Sequence, residues 1–174
     1  KSIIPKDFPV PFAHTPSFVG SHITGYDNMM KGILSAVTAG KNNDPNGKLN
    51  IIMGFDTYTG NYREMKRLLS TMGVDYTLLS DISDVYDSPN TGEYKLYPAG
   101  TPLEDTAGSI NAVATVALQK YSTLKTLDYI RKEWDRDAVA LPLIGVKNTD
   151  KFFEEISRIT GTPVPQEIED ERGR

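Results

Sequence analysis

The residue types able to do metal or acid–base chemistry are few in this chain. Two histidines, His14 and His22, stand eight residues apart, and there is no third histidine and no cysteine among the 174 residues. Histidine pairs that share a metal from one helix want i, i+4 spacing, and these two flank an irregular, proline-bearing stretch. A Ser–His hydrolase is not indicated either, because no G-x-S-x-G elbow occurs and nothing marks a third partner. The loop Gly54-Phe55-Asp56-Thr57-Tyr58-Thr59-Gly60-Asn61 falls where a strand should enter a helix, a place where α/β folds bind anions. A phosphate loop, however, needs G-x4-G-K-[ST] so that a lysine meets the phosphate charge. Here the spacing is one residue too long and Asn61 replaces the lysine. A structural strand–helix turn is the better reading. Glu154, Glu155, Glu167, Glu169, Asp170 and Glu171 read as solvated helix faces. Met29, Met30, Met65 and Met72 read as packing, and Trp134 as a helix-face anchor. On residue type alone Ser17, between Pro16 and Phe18, is a loop hydroxyl or a helix cap.

The formal charge of −4 and the pI of about 5.2 argue against a nucleic-acid or anionic-membrane partner. No apolar run approaches the roughly 20 residues that span a bilayer, and Lys1 to Pro5 has no signal-peptide pattern. With no cysteine there is neither a disulfide framework nor a thiolate site within these residues. A cytoplasmic location is the expectation. The sequence begins without Met and stops at Glu171-Arg172-Gly173-Arg174, so an internal piece of a longer polypeptide is expected.

The elements that must position these side chains follow from periodicity. Pro5, Pro9, Pro11 and Pro16 keep residues 1–16 extended. Apolar residues at Tyr26, Met29, Met30, Ile33, Leu34 and Val37 predict a helix from Tyr26 that ends near Gly40, followed by a polar loop over 41–48. Strands are predicted over 49–53, 74–79, 113–118 and 139–144, the last weakened or placed at an edge by Pro142. Helices are predicted over 62–72, closed by Gly73, and around Leu124 to Trp134, capped by Ser122 or Thr123. Another runs from Phe152 to Ile159, closed by Gly161, and a last one opens at Pro165. A long loop covers 80–100, and Thr101-Pro102-Leu103-Glu104 has the form of a capping box opening a short helix. Strand and helix alternate from 49 to 161, which predicts an α/β fold: a Rossmann-like parallel sheet with helices on both faces. Three stretches are expected: residues 1–40 as a Pro-rich N-terminal segment and helix, 41–164 as the Rossmann-like domain, and 165–174 as the start of a helix leading onward.

The run Asp7-Phe8-Pro9-Val10-Pro11-Phe12-Ala13-His14-Thr15-Pro16-Ser17-Phe18-Val19-Gly20-Ser21-His22 resembles the nitrogenase component 1 family, specifically its molybdenum–iron protein beta chains. So do Leu49 to Tyr58, Met72 to Asp81 and the ending Glu171-Arg172-Gly173-Arg174. The resemblance covers essentially the whole chain in order, with 41–48 as a variable part.

This resemblance implies a beta subunit fragment that pairs with an alpha chain in an α2β2 heterotetramer served by the nitrogenase iron protein. It implies an 8Fe-7S P-cluster shared with the alpha chain, which relays electrons to the iron–molybdenum cofactor in alpha for reduction of dinitrogen to ammonia. It places the beta cysteine ligands upstream of Lys1. Ser17 matches the family serine that binds an iron of the P-cluster in the oxidised state. Oxidised iron is a harder Lewis acid that favours oxygen over sulfur, and binding releases the ligand proton. The isolated chain is expected to be inactive and poorly soluble. Competing expectations are a beta chain of a vanadium or iron-only nitrogenase, a related cofactor-assembly scaffold, and a free-standing α/β ligand-binding module.

Overall fold

Four short apolar runs become four parallel strands. The computed structural model of the protein describes residues 3–5, 8–87, 89, 92 and 99–173. Strands β1 (Leu49–Ile52), β2 (Tyr76–Leu79), β3 (Ala114–Ala117) and β4 (Asp137–Ala140) form one sheet in the order β2-β1-β3-β4. Every pairing is parallel, with Ile51 beside both Leu78 and Val116. The two central strands are buried at every position, as expected when helices cover both faces. β4 lies at the sheet edge and ends before Pro142, whose missing N–H therefore costs the ladder nothing.

The helices are α1 (His22–Val37), α2 (Thr59–Thr71), α3 (Ser83–Tyr86), α4 (Leu103–Gly108), α5 (Leu124–Glu133), α6 (Val146–Thr160) and α7 (Gln166–Arg172). The two-residue period of the strands sends alternate side chains into two cores. Leu49, Ile51, Ala114 and Val116 pack with Tyr62, Met65 and Leu69 of α2, Phe152 and Ile156 of α6, and Ile168 of α7. On the opposite face Ile52, Leu79, Ala117 and Ala138 pack with Met30 and Leu34 of α1 and Leu127 and Ile130 of α5, with Trp134 just beyond it. Each fully buried Leu, Ile or Met contributes about 1.5–3 kcal/mol of transfer free energy. Three of the four methionines read as packing are in these cores, whereas Met29 is exposed. Gly73 and Gly161 follow α2 and α6 at φ 68° and 73°, a left-handed step that glycine takes without Cβ strain.

Several expectations change. Helix α1 begins at His22, one turn before the apolar pattern starts at Tyr26, because its first residues lie exposed or half-buried and give no pattern. β2 starts at Tyr76, two residues after the apolar run begins. The expected loop over 80–100 opens with α3, and most of its remainder lies outside the described residues. The capping box at Thr101 is not formed. Pro102 is the N-cap of α4, and the Thr101 hydroxyl instead donates to Leu78 O (2.5 Å) and accepts from Asp81 N (3.0 Å), stitching the end of β2. Thr123, one of the two expected caps, is the N-cap residue of α5, but its side chain makes no cap bond: Oγ1 turns back to Gln119 O. The cap comes from Asp27 of α1, whose carboxylate accepts from Lys125 N (2.8 Å), Thr126 N (2.9 Å) and Thr126 Oγ1 (2.7 Å).

Candidate functional site

The chain leaves β1 toward β2 on one side and later returns to β3 on the other, so the topological switch point lies beyond the C-terminal ends of β1 and β3. The two loops there are laced together. Phe55 N donates to Ser122 Oγ (3.3 Å), Gln119 Nε2 donates to Phe55 O (3.2 Å), and Ser122 Oγ donates to Gln119 Oε1 (3.0 Å). Gly54 makes this approach possible: its φ is 85°, and a Cβ would lie 2.6 Å from both Gln119 Cβ and Ser122 Oγ. Gly54→Ala is therefore expected to destabilise the fold by about 2–4 kcal/mol, from overpacking plus left-handed backbone strain. A lowered urea midpoint without a change in slope checks this.

The Gly54 loop offers no phosphate cradle. Asp56 Oδ1 accepts from Tyr58 N (2.8 Å) and Oδ2 from Asn61 Nδ2 (2.8 Å), so a resident carboxylate already occupies the start of α2. A phosphate would meet that negative charge instead of free N–H groups.

The N-terminal end of α1 reaches the same crevice. The His22 ring lies 4.6 Å from the Phe55 ring, and Tyr26 meets Phe55 edge-on at 6.2 Å. Burial foremost, with Tyr62 and Asp27 adding to it, pushes the Tyr26 phenol above its ordinary range, and its buried Oη has no hydrogen-bond partner. His22 is thus a packing partner for Phe55. His14 is exposed, and its carbonyl accepts from Asn28 Nδ2 (2.9 Å).

Ser17 lies upstream of α1, in a turn with Phe18, which takes φ 61° and is fully exposed. Ser17 is itself exposed, and among the described residues its hydroxyl makes no hydrogen bond. It is a loop hydroxyl and caps nothing: the N-cap of α1 is Ser21. Around it the chain leaves Val10, Phe12, Phe18 and Val19 exposed. The described residues contain no group of three or more His, Cys, Asp or Glu side chains able to hold a metal ion. Among the described residues, these donor types do not assemble into a complete metal centre. Asp27, Asn28 and Lys125, which tie this region together, carry no sequence signal, since the contacts between α1 and α5 join residues nearly 100 apart (Lys125 N and Asp27, 98).

The nitrogenase component 1 type oxidoreductase family matches residues 1–174. The chain is 64% identical over 172 residues to the nitrogenase molybdenum-iron protein beta chain of Nostoc sp., covering 98% of this chain and 34% of that protein. It is 45% identical over 179 residues to the protein of the same name from Azotobacter vinelandii, covering 100% of this chain and 34% of the relative. Among solved structures, "Nitrogenase Cp1 at pH 6.5" superposes with a TM-score of 0.88 at 39% identity, over 98% of this chain and 37% of that one. The chain spans about a third of the length of the curated relatives it matches. The family match along all 174 residues, on the four-stranded parallel sheet described above, shows that the chain belongs to the nitrogenase component 1 type oxidoreductase family.

Proposed function

We propose that the chain is part of the beta subunit of a molybdenum-type dinitrogenase, a cytoplasmic α2β2 heterotetramer with an alpha chain, served by the nitrogenase iron protein. The observation that carries this reading is the match along the whole chain to relatives named molybdenum-iron protein beta chains; the Ser17 hydroxyl, exposed and without a hydrogen bond among the described residues, is consistent with it. Bound at the alpha–beta boundary, an 8Fe-7S P-cluster would supply one-electron relay toward the iron–molybdenum cofactor in alpha, where dinitrogen is reduced to ammonia.

The residues of this chain contribute three things. Ser17 Oγ offers a hard oxygen and holds a proton that it can give up when a harder metal ion takes its place. Phe12, Phe18 and Val19 present exposed apolar surface on the same segment, which would exclude water once a partner covers them. The start of α1, just downstream of the turn, packs on the loop after β1 through His22 on Phe55. The free-standing nucleotide-binding alternative has against it the carboxylate of Asp56 at the start of α2.

Full-length subunit containing this chain, expressed with a nitrogenase alpha chain, is expected to co-purify as a heterotetramer with iron and acid-labile sulfide. An iron-free subunit that ignores the alpha chain, or tight nucleotide binding without iron, overturns the reading.

A further inference from the structure

The stretch that carries Ser17 has little of its own to hold it. Residues 14–22 are all exposed. Among the described residues, no backbone–backbone bond outside the helices and strands begins or ends between 9 and 20. Among the described residues, the one side-chain hydrogen bond that reaches this stretch runs from Asn28 Nδ2 to His14 O, at 2.9 Å.

Asn28 is itself fixed from the other side. Lys125 Nζ donates to Asn28 Oδ1 at 2.6 Å. An ammonium can only donate, so it selects the amide oxygen and leaves the NH2 group for the His14 carbonyl. Lys125 is in turn anchored through its own backbone N–H, held by the Asp27 carboxylate. The line of contacts runs from the first turn of α5, through two adjacent residues of α1, to the segment that carries Ser17.

A second contact keeps the register. Gly32 lies four residues beyond Asn28 on the same face of α1, and a Cβ there would fall 2.2 Å from Phe12 O. Four helical residues rise about 6 Å, and two extended residues span about 6.6 Å. Phe12 over Gly32 and His14 over Asn28 therefore run in step, with the segment antiparallel to α1. Beyond His14 only the turn at Ser17 and Phe18 remains before α1 starts at His22.

We propose that Asn28, oriented by Lys125, is the positioning residue for Ser17, fixing the upstream end of the loop so that Oγ is presented at one place. This rests on the reading of Ser17 as a cluster ligand. A ligand atom must be held within about 0.5 Å by groups that are themselves locked, and this loop has no other hydrogen-bonded support among the described residues.

The test uses the full-length subunit assembled with its alpha chain and loaded with cluster. Asn28→Asp keeps the shape and an acceptor for Lys125 but cannot donate to His14 O; Asn28→Ala removes both contacts. Each is expected to raise the potential of the oxidised couple in the direction of Ser17→Ala. The double variant N28D/S17A is expected to shift no further than S17A alone, because both changes remove one interaction. A wild-type potential in both Asn28 variants while S17A is shifted overturns the proposal, as do additive shifts. An unshifted S17A overturns the underlying reading of Ser17, and the proposal with it.

Discussion

Replacing Asp27 by alanine is expected to loosen α5 by about 3–5 kcal/mol. Asp27 is 3% exposed, and its carboxylate accepts from two backbone N–H groups and one hydroxyl at the start of α5. Losing a cap costs about 0.5–2 kcal/mol. Each buried donor left without a partner adds about 1–3 kcal/mol. Thr126 Oγ1 also lies 3.1 Å from the Asp27 carbonyl, which shares the hydroxyl's one hydrogen with the carboxylate, so the α1–α5 junction is polar at its centre and apolar around it. A helix of ten residues is marginal by itself, so α5 depends on this junction and on its packing. Hydrogen exchange in the assembled protein checks the prediction locally. The amides of Lys125, Thr126 and Leu127 should exchange at least about 100-fold faster, since each 1.4 kcal/mol is tenfold. Asp27→Asn should fall between, because it keeps one acceptor but turns an NH2 toward a donor. Unchanged exchange at these three amides would show that α5 is capped in some other way.

The architecture was legible wherever one period governed a whole element. The strands reveal themselves as apolar runs such as Leu49 to Met53 because parallel strands covered on both faces cannot alternate. α2 and α6 reveal themselves because a single stripe faces the sheet, ended by Gly73 and Gly161. What escaped is where local grammar competes with tertiary contacts. Thr101 followed by Pro102 and Glu104 has every local mark of a capping box, yet two partners at the end of β2 claim the hydroxyl. Ser122 and Thr123 are good caps by type, but a buried carboxylate from α1 offers charge-assisted bonds that a hydroxyl cannot match. α1 hides its first turn because His22 packs on Phe55 across the crevice and not into the apolar stripe. The candidate site was the least legible part. An exposed serine on a turn has no period and no partner, and only resemblance singled out Ser17; the support beneath it, Asn28 on Lys125, depends on contacts 97 residues apart.

Ser17→Ala is expected to leave folding nearly untouched and to change the redox behaviour of the assembled protein. The side chain is exposed and makes no hydrogen bond among the described residues, so the stability change should stay within about 0.5 kcal/mol. If Ser17 Oγ serves the oxidised state, removing it takes a hard anionic oxygen from the more positive form only. Oxidation then becomes harder and the potential rises. The sign of the pH dependence follows from the same atom. Oxidation that releases the Oγ proton is favoured as pH rises, so the wild-type potential should fall by about 59 mV per pH unit for one proton per electron. Alanine has no proton to release, so the contribution of Ser17 to that slope disappears. Cysteine at this position separates ligation from acidity. Its thiol ionises near 8.5 in ordinary surroundings, far below a serine hydroxyl, and gives a softer donor. Ser17→Cys should therefore retain a ligand while moving the pH-dependent limb to lower pH. A potential and slope in Ser17→Ala equal to those of the unchanged protein would remove Ser17 from the cluster, and would turn the apolar turn around it into surface for the partner chain alone.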